Sequence, residues 1–123
     1  MSRIYHITTR TAWQDAERNG EYRPSSLSHE GFIHFSQRHQ ILEVAHAFYR
    51  GQNGLVLLSV ETEHLKAELR YEPPLHPAGS DLPPVSSSLF PHLYGPLNLS
   101  AVLAVVDLPP DENGLFSLPP SLP

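Results

Sequence analysis

At 123 residues, 40% of them hydrophobic and 17% charged, the chain is sized for one folded domain around a single core and does not carry the composition of a disordered segment. A formal net charge of −5, with Lys66 the only lysine, excludes broad electrostatic binding to nucleic acid or to an anionic membrane, while leaving room for a local arginine contact to a nucleotide. The absence of cysteine excludes disulfides, thiolate metal sites and a cysteine nucleophile, and no segment approaches the ~20 apolar residues of a spanning helix, so the expectation is a soluble cytoplasmic protein with no membrane partner.

Arg3 to Thr8 alternates as a strand, with Tyr5 and Ile7 on one face and Ile4, His6 and Thr8 on the other. Thr9 or Thr11 is placed to cap a helix running to about Asn19, with Trp13 and Ala12 or Ala16 buried and Gly20 as its stop. Glu21 to Gly31, rich in Ser, Pro and Glu, reads as a surface loop with a short extended piece at Tyr22. It leads into Gly31-Phe32-Ile33-His34-Phe35-Ser36-Gln37, a strand on which His34 and Ser36 share a face opposite Ile33 and Phe35. The spacing of Ile41, Ala45 and Phe48 predicts a helix over Gln37 to Arg50, and Ser36 stands where a capping hydroxyl is wanted.

After the turn at Gln52-Asn53-Gly54, Leu55 to Val60 is an apolar run of strand length and marks the centre of a sheet. Leu69 to Glu72 is a further short strand, stopped by Pro73-Pro74. Residues 73 to 88 are dense in Pro, Gly, Ser and Asp and read as a flap. Phe90-Pro91-His92-Leu93-Tyr94-Gly95-Pro96 reads as a stiff turn able to wall a pocket, and Ser100 to Leu108 as a last buried strand. One domain over residues 1–108 is thus expected, with a Pro-rich tail over 109–123 lying on the surface through Leu115, Phe116 and Leu118.

Three constellations carry possible chemistry. His6 and His34 sit in matching strand contexts, so neighbouring strands would stand them on one face beside Thr8 and Ser36; the plainer reading is two histidines satisfied by backbone carbonyls. His39, Glu43 and His46 share a helical face at i, i+4 and i+7, a geometry able to hold a divalent cation, although such a face is where exposed charges ordinarily go and no HExxH pattern is present. His92 and Tyr94 are set either to wall a pocket or to plug the core. Arg10, just past the first strand, is placed to pair with a phosphate or simply to face solvent. No GxSxG surrounds Ser36, so serine hydrolase chemistry fits poorly.

Tyr5-His6-Ile7-Thr8, Trp13, Gly31 to Ser36 with Gln40, Leu55-Val56-Leu57-Leu58 and Phe90 to Leu97 together resemble the small bacterial family called domain of unknown function 952, over the chain to about Leu108. That family brings no activity with it. More distantly, the order of a Tyr-His strand with Thr, a Trp helix, a loop, an Ile-His-Phe-Ser strand and a helix is similar to the front half of RNA 2′-phosphotransferases, which are NAD-using enzymes of the ADP-ribosyltransferase fold. This likeness implies an α+β domain with a split, mostly antiparallel sheet, two main helices and a cleft where His6 and His34 hold the nicotinamide-side ribose. Thr8, Arg10, Ser36, His92 and Tyr94 would then line a site for NAD or a phosphorylated nucleotide. The chain departs from the pattern at the third motif strand, where Leu97, Asn98 and Leu99 stand in place of a catalytic glutamate, and in its few arginines. The expectation is therefore a nucleotide cleft with possible transfer of ADP-ribose or phosphate, and the alternative is a non-enzymatic binding module using the same pocket.

Overall fold

The computed structural model describes residues 2–73 and 89–123. Strand β1 (Arg3–Thr9) leads into helix α1 (Arg10–Asn19), which Thr9 caps by accepting a hydrogen bond from Ala12 N at 3.1 Å. Gly20 ends the helix at φ +88°, a left-handed conformation that a residue with a Cβ resists. A two-residue strand β2 (Glu21–Tyr22) and a short helix α2 (Ser25–His29) follow. The segment expected as loop thus contains a helical turn, entered through Pro24, whose missing N–H costs a helix start nothing.

β3 is confined to Ile33–His34. The expected helix over 37–50 is a 3₁₀ turn, Arg38–Gln40, followed by α3 (Ile41–Phe48). Ser36 is not the cap, because the turn starts one residue later and the cap position falls on Gln37; the Ser36 backbone N–H and C=O instead bond Tyr5 at 2.7 and 2.9 Å. The turn is instead braced by Gln40, fully buried, whose Oε1 accepts from Gln37 N and whose Nε2 donates to the Leu89 carbonyl.

β4 (Leu55–Glu61) is the sheet centre the apolar run predicts, and all seven of its residues are buried. It pairs antiparallel with β1 on one side and with β8 (Val102–Asp107) on the other. β8 is shorter than the expected strand, because Leu99–Ala101 forms a 3₁₀ turn, and it is an edge rather than a buried strand, with Leu103 44% exposed. Among the described strands only β4 pairs with it. A second three-stranded antiparallel sheet has the order β3, β6 (Phe90–Tyr94), β5 (Glu68–Glu72). The sequence read 90–96 as a turn; it is the middle strand of this sheet, with Pro91 still able to accept from Phe35 N through its carbonyl. Beyond β6 the chain turns at Gly95, where a Cβ would lie 2.6 Å from that of Ala67, into β7 (Leu97–Asn98), which pairs β2.

The result is an α+β domain whose antiparallel sheet is split, and the Tyr5/Ser36 bridge is the seam between its halves. One core lies under α1 and unites Ile4, Trp13, Val56, Leu58, Leu93 and Leu97. A second lies under α3 and joins Ile7, Ile41, Leu55 and Leu57 to Phe116 and Leu122. Residues 109–123 therefore complete a core, with Pro123 O accepting from Tyr5 Oη at 3.0 Å. The stretch 74–88, within the expected flap, lies outside the described residues.

Candidate functional site

A cleft of about 490 Å³ opens along the seam, inside the ~300–1,000 Å³ usual for small-molecule sites. Its polar side carries His6 and Thr8 from β1, Tyr22 from β2, His34 and Ser36 from the second half-sheet and its exit, and His92 from β6. Its apolar side carries Val44, Phe48 and Tyr49 of the α3 region with Phe90. Alternation explains the sorting: on β1 the residues either side of His6 point into the cores, and on β6 Leu93 turns to the core while His92 turns to the cleft.

His6 is held at both ring nitrogens. Nδ1 lies 2.5 Å from the His34 carbonyl oxygen, and Nε2 lies 2.7 Å from Tyr22 Oη. A carbonyl only accepts, so Nδ1 carries the proton. Burial lowers the His6 pKa to about 4 against the lesser, opposing pull of that carbonyl, so the ring is neutral at pH 7 and Nε2 must accept. Tyr22 gives it its only proton. Thr8 Oγ1, 2.9 Å from Tyr22 Oη, then donates to the phenol, and its own lone pairs remain for a ligand. Tyr22 stays a phenol, pushed up to about 12 chiefly by burial.

His34 and His92 are directly opposed across the β3–β6 ladder, with rings edge to face at 5.5 Å. Phe32 packs against both and stacks on His92 at 4.1 Å. Each imidazole has a carboxylate: His34 Nε2 donates to Glu30 Oε2 at 2.9 Å and His92 Nδ1 to Glu72 Oε1 at 2.9 Å. Glu72 also accepts from Tyr94 Oη at 2.5 Å. The Tyr94 and His92 hydrogen bonds, in that order, lower the Glu72 pKa and keep it ionised. His92 is almost fully buried and its pKa is lowered, with burial outweighing the opposing pull of Glu72.

Of the residues singled out in the sequence, His6, Thr8, His34, Ser36 and His92 line the cleft. Arg10 does not. It pairs with Asp107 and lines a separate groove between α1 and β8, because the helix begins at Arg10 and carries it past the end of β1. Tyr94 stands behind His92, its ring under the Arg70 guanidinium at 4.5 Å, and is a partner of Glu72 rather than a wall of the cleft. Leu97 and Asn98 belong to the β2–β7 ribbon, and Asn98 braces the chain at His64 and Lys66. His46 accepts the Phe116 N–H through Nε2 at 2.8 Å, and among the described residues no group of three His, Asp or Glu side chains is placed to hold a metal ion. Sequence reasoning missed Tyr22, Glu30 and Glu72. For Glu72 the signal was weak, since its pairing with His92 crosses twenty residues of chain; for Tyr22 the one cue was an aromatic in an otherwise polar loop.

The model of the family described as protein of unknown function (DUF952) matches residues 7–105. The chain belongs to that family. It is similar to the crystal structure of protein CC0527 from Caulobacter crescentus, at 36% identity over 95% of each chain and a TM-score of 0.79. Against the solution NMR structure of CC0527 the identity is 38%, over 94% of this chain and 91% of the other, with a TM-score of 0.73. At this identity the likeness extends through the whole DUF952 domain, both half-sheets included. No curated protein matches the chain.

Proposed function

We propose that the cleft binds NAD or a related phosphorylated nucleotide, and that the domain is an ADP-ribosyltransferase-like fold able to transfer ADP-ribose or phosphate from it. The observation that carries this reading is the gathering of His6, His34 and His92 with Thr8 and Ser36 on one side of a cleft whose other side is apolar. A flat ring beside a hydroxyl-rich sugar suits such a lining: the ring packs on Phe48, Tyr49 and Phe90, and the sugar meets the polar side. Both His6 nitrogens are engaged within the protein, so His6 acts by holding Tyr22 and Thr8, and Thr8 and His34 contact the sugar. Tyr94 and Arg10, outside the lining, take no part in stacking or in phosphate binding.

A second reading, a binding module without turnover, is supported by one observation: among the described residues that line the cleft none is Lys or Arg. The phosphates of a nucleotide would then lie toward solvent.

A two-dimensional amide NMR titration with NAD, ADP-ribose and inorganic phosphate tests both. Shifts clustered at residues 5–9, 34–36 and 92 on adding NAD are expected. No shift at millimolar NAD overturns the nucleotide reading. Shifts without release of nicotinamide favour the binding module.

A further inference from the structure

His92 differs from His6 in what its ring leaves over. Glu68, Arg70 and Glu72 of β5 share one face of the sheet with Phe90, His92 and Tyr94 of β6, with Arg70 directly opposite His92. Glu72 reaches diagonally to His92 Nδ1 and takes the Tyr94 hydroxyl on the same oxygen. A carboxylate only accepts, so Nδ1 bears the proton and Nε2 bears a lone pair. Nε2 has no hydrogen-bond partner among the described residues, although the ring lines the cleft. His92, 1% exposed, is part of that lining and Glu72 is not, so the carboxylate stands behind the ring as seen from the cleft. Phe32, stacked on the imidazole, fixes its plane.

We propose that Glu72 and His92 form a proton-accepting pair, in which His92 Nε2 takes the proton of a hydroxyl group, from water or from an alcohol of the acceptor, as that oxygen attacks the nucleotide in the cleft. This rests on the nucleotide reading above. With NAD as donor, the oxygen bonds to the anomeric carbon of the nicotinamide-bearing ribose. The bond from that carbon to the nicotinamide nitrogen breaks, its electron pair leaves with nicotinamide, and the hydroxyl proton passes to Nε2. Glu72 steadies the resulting imidazolium through Nδ1–H. Glu72 touches no reacting atom and is a positioning residue.

Among the described residues the charged and titratable groups around His92 are Glu72, Arg70 and Tyr94 from β5 and β6, His34 from β3 and Glu30 at the end of α2. Burial holds the ring neutral at pH 7, the state a proton acceptor needs.

The test uses the full chain, NAD as probe and water as acceptor. Long-range proton–nitrogen spectra of the histidine rings should show His92 as the Nδ1–H tautomer, Glu72→Gln should disturb that tautomer, and NAD should move the Nε2 resonance. Nicotinamide release should fall about 10²–10⁴-fold in His92→Ala. In Glu72→Gln the acid limb of the pH profile should move, which a purely structural loss would not do. NAD shifts on cleft amides with His92 Nε2 unmoved overturn the proton-accepting pair and leave the nucleotide cleft standing. An Nε2–H tautomer in the native chain also overturns the pair. A cleft that ignores NAD altogether overturns both.

Discussion

The two halves of the split sheet are built to different ends. In β1–β4–β8 the register sets Ile4, Ile7, Val56, Leu57, Leu58 and Val60 into apolar cores on both faces of β4. In β3–β6–β5 the register sets His34, His92 and Arg70 in a row, with Glu72 and Tyr94 beside them. One half is scaffold, and the imidazole it carries, His6, has both nitrogens engaged. The other sets a buried imidazole, His92, into the lining of a cleft. Imidazoles and hydroxyls gather where the scaffold meets the polar row, because there backbone pairing is reduced to the Tyr5/Ser36 bridge and side chains have room to converge.

The contrast is broken most forcefully at β4. Leu57→Ala removes a fully buried side chain from beneath α3 and should cost ~2–5 kcal/mol, the range for Leu deletions in packed cores. Tyr71→Ala, at a position 43% exposed on β5, should stay within about 0.5 kcal/mol. Urea unfolding of both variants decides it, and a Leu57→Ala loss below about 1 kcal/mol would show that β4 is not the scaffold of the domain.

Acid should act on His6 next. Its pKa is about 4 in the fold against 6.5 as the ordinary value, so above pH 6.5 the folded and unfolded chains bind the same number of protons there. Between 6.5 and 4 the unfolded chain binds more, and stability falls as the pH falls. The loss amounts to roughly 3 kcal/mol in all, because each tenfold weakening of proton affinity is worth about 1.4 kcal/mol. His92, lowered as well, acts in the same sense. His6→Gln should flatten the curve of unfolding free energy between pH 7 and pH 4, and a variant curve parallel to that of the native chain would refute the linkage. A smaller effect is expected for Tyr22→Phe, which leaves His6 Nε2 and Thr8 without their shared partner at about 1–3 kcal/mol. A neutral outcome would mean that water serves the histidine as well as the phenol does.

Much of the scaffold was legible in the sequence. The β4 run, the Thr9 cap, the Gly20 stop and the buried Trp13 and Ala16 all follow from local rules of burial and capping. The polar half was less legible, because its elements are short and defined by pairing: β3 is two residues long, and Phe90–Tyr94 contains a proline that argues for a turn until its partners are known. The cleft residues on β1 and β3 were visible as alternating imidazoles. Glu72, Glu30 and Tyr22 were not, since each reaches its histidine through a register or a short helix that no local pattern encodes.

Arg10 gives the finest discrimination between the halves. Its place two residues after Thr8 suggests a phosphate contact, yet α1 begins at Arg10 and carries the side chain away from the cleft toward Asp107 at the end of β8. The pair is exposed, 49% and 73% on its two side chains, and exposed ion pairs contribute about 0–1 kcal/mol. Arg10→Ala should therefore unfold within about 1 kcal/mol of the native chain, and under the proposed nucleotide reading NAD should shift His34 and His92 as it does in the native chain. If Arg10→Ala weakens NAD binding tenfold while stability is kept, the phosphates run past Thr8 and over the start of α1. The scaffold half would then hold part of the ligand, and the division between the two sheets would fail.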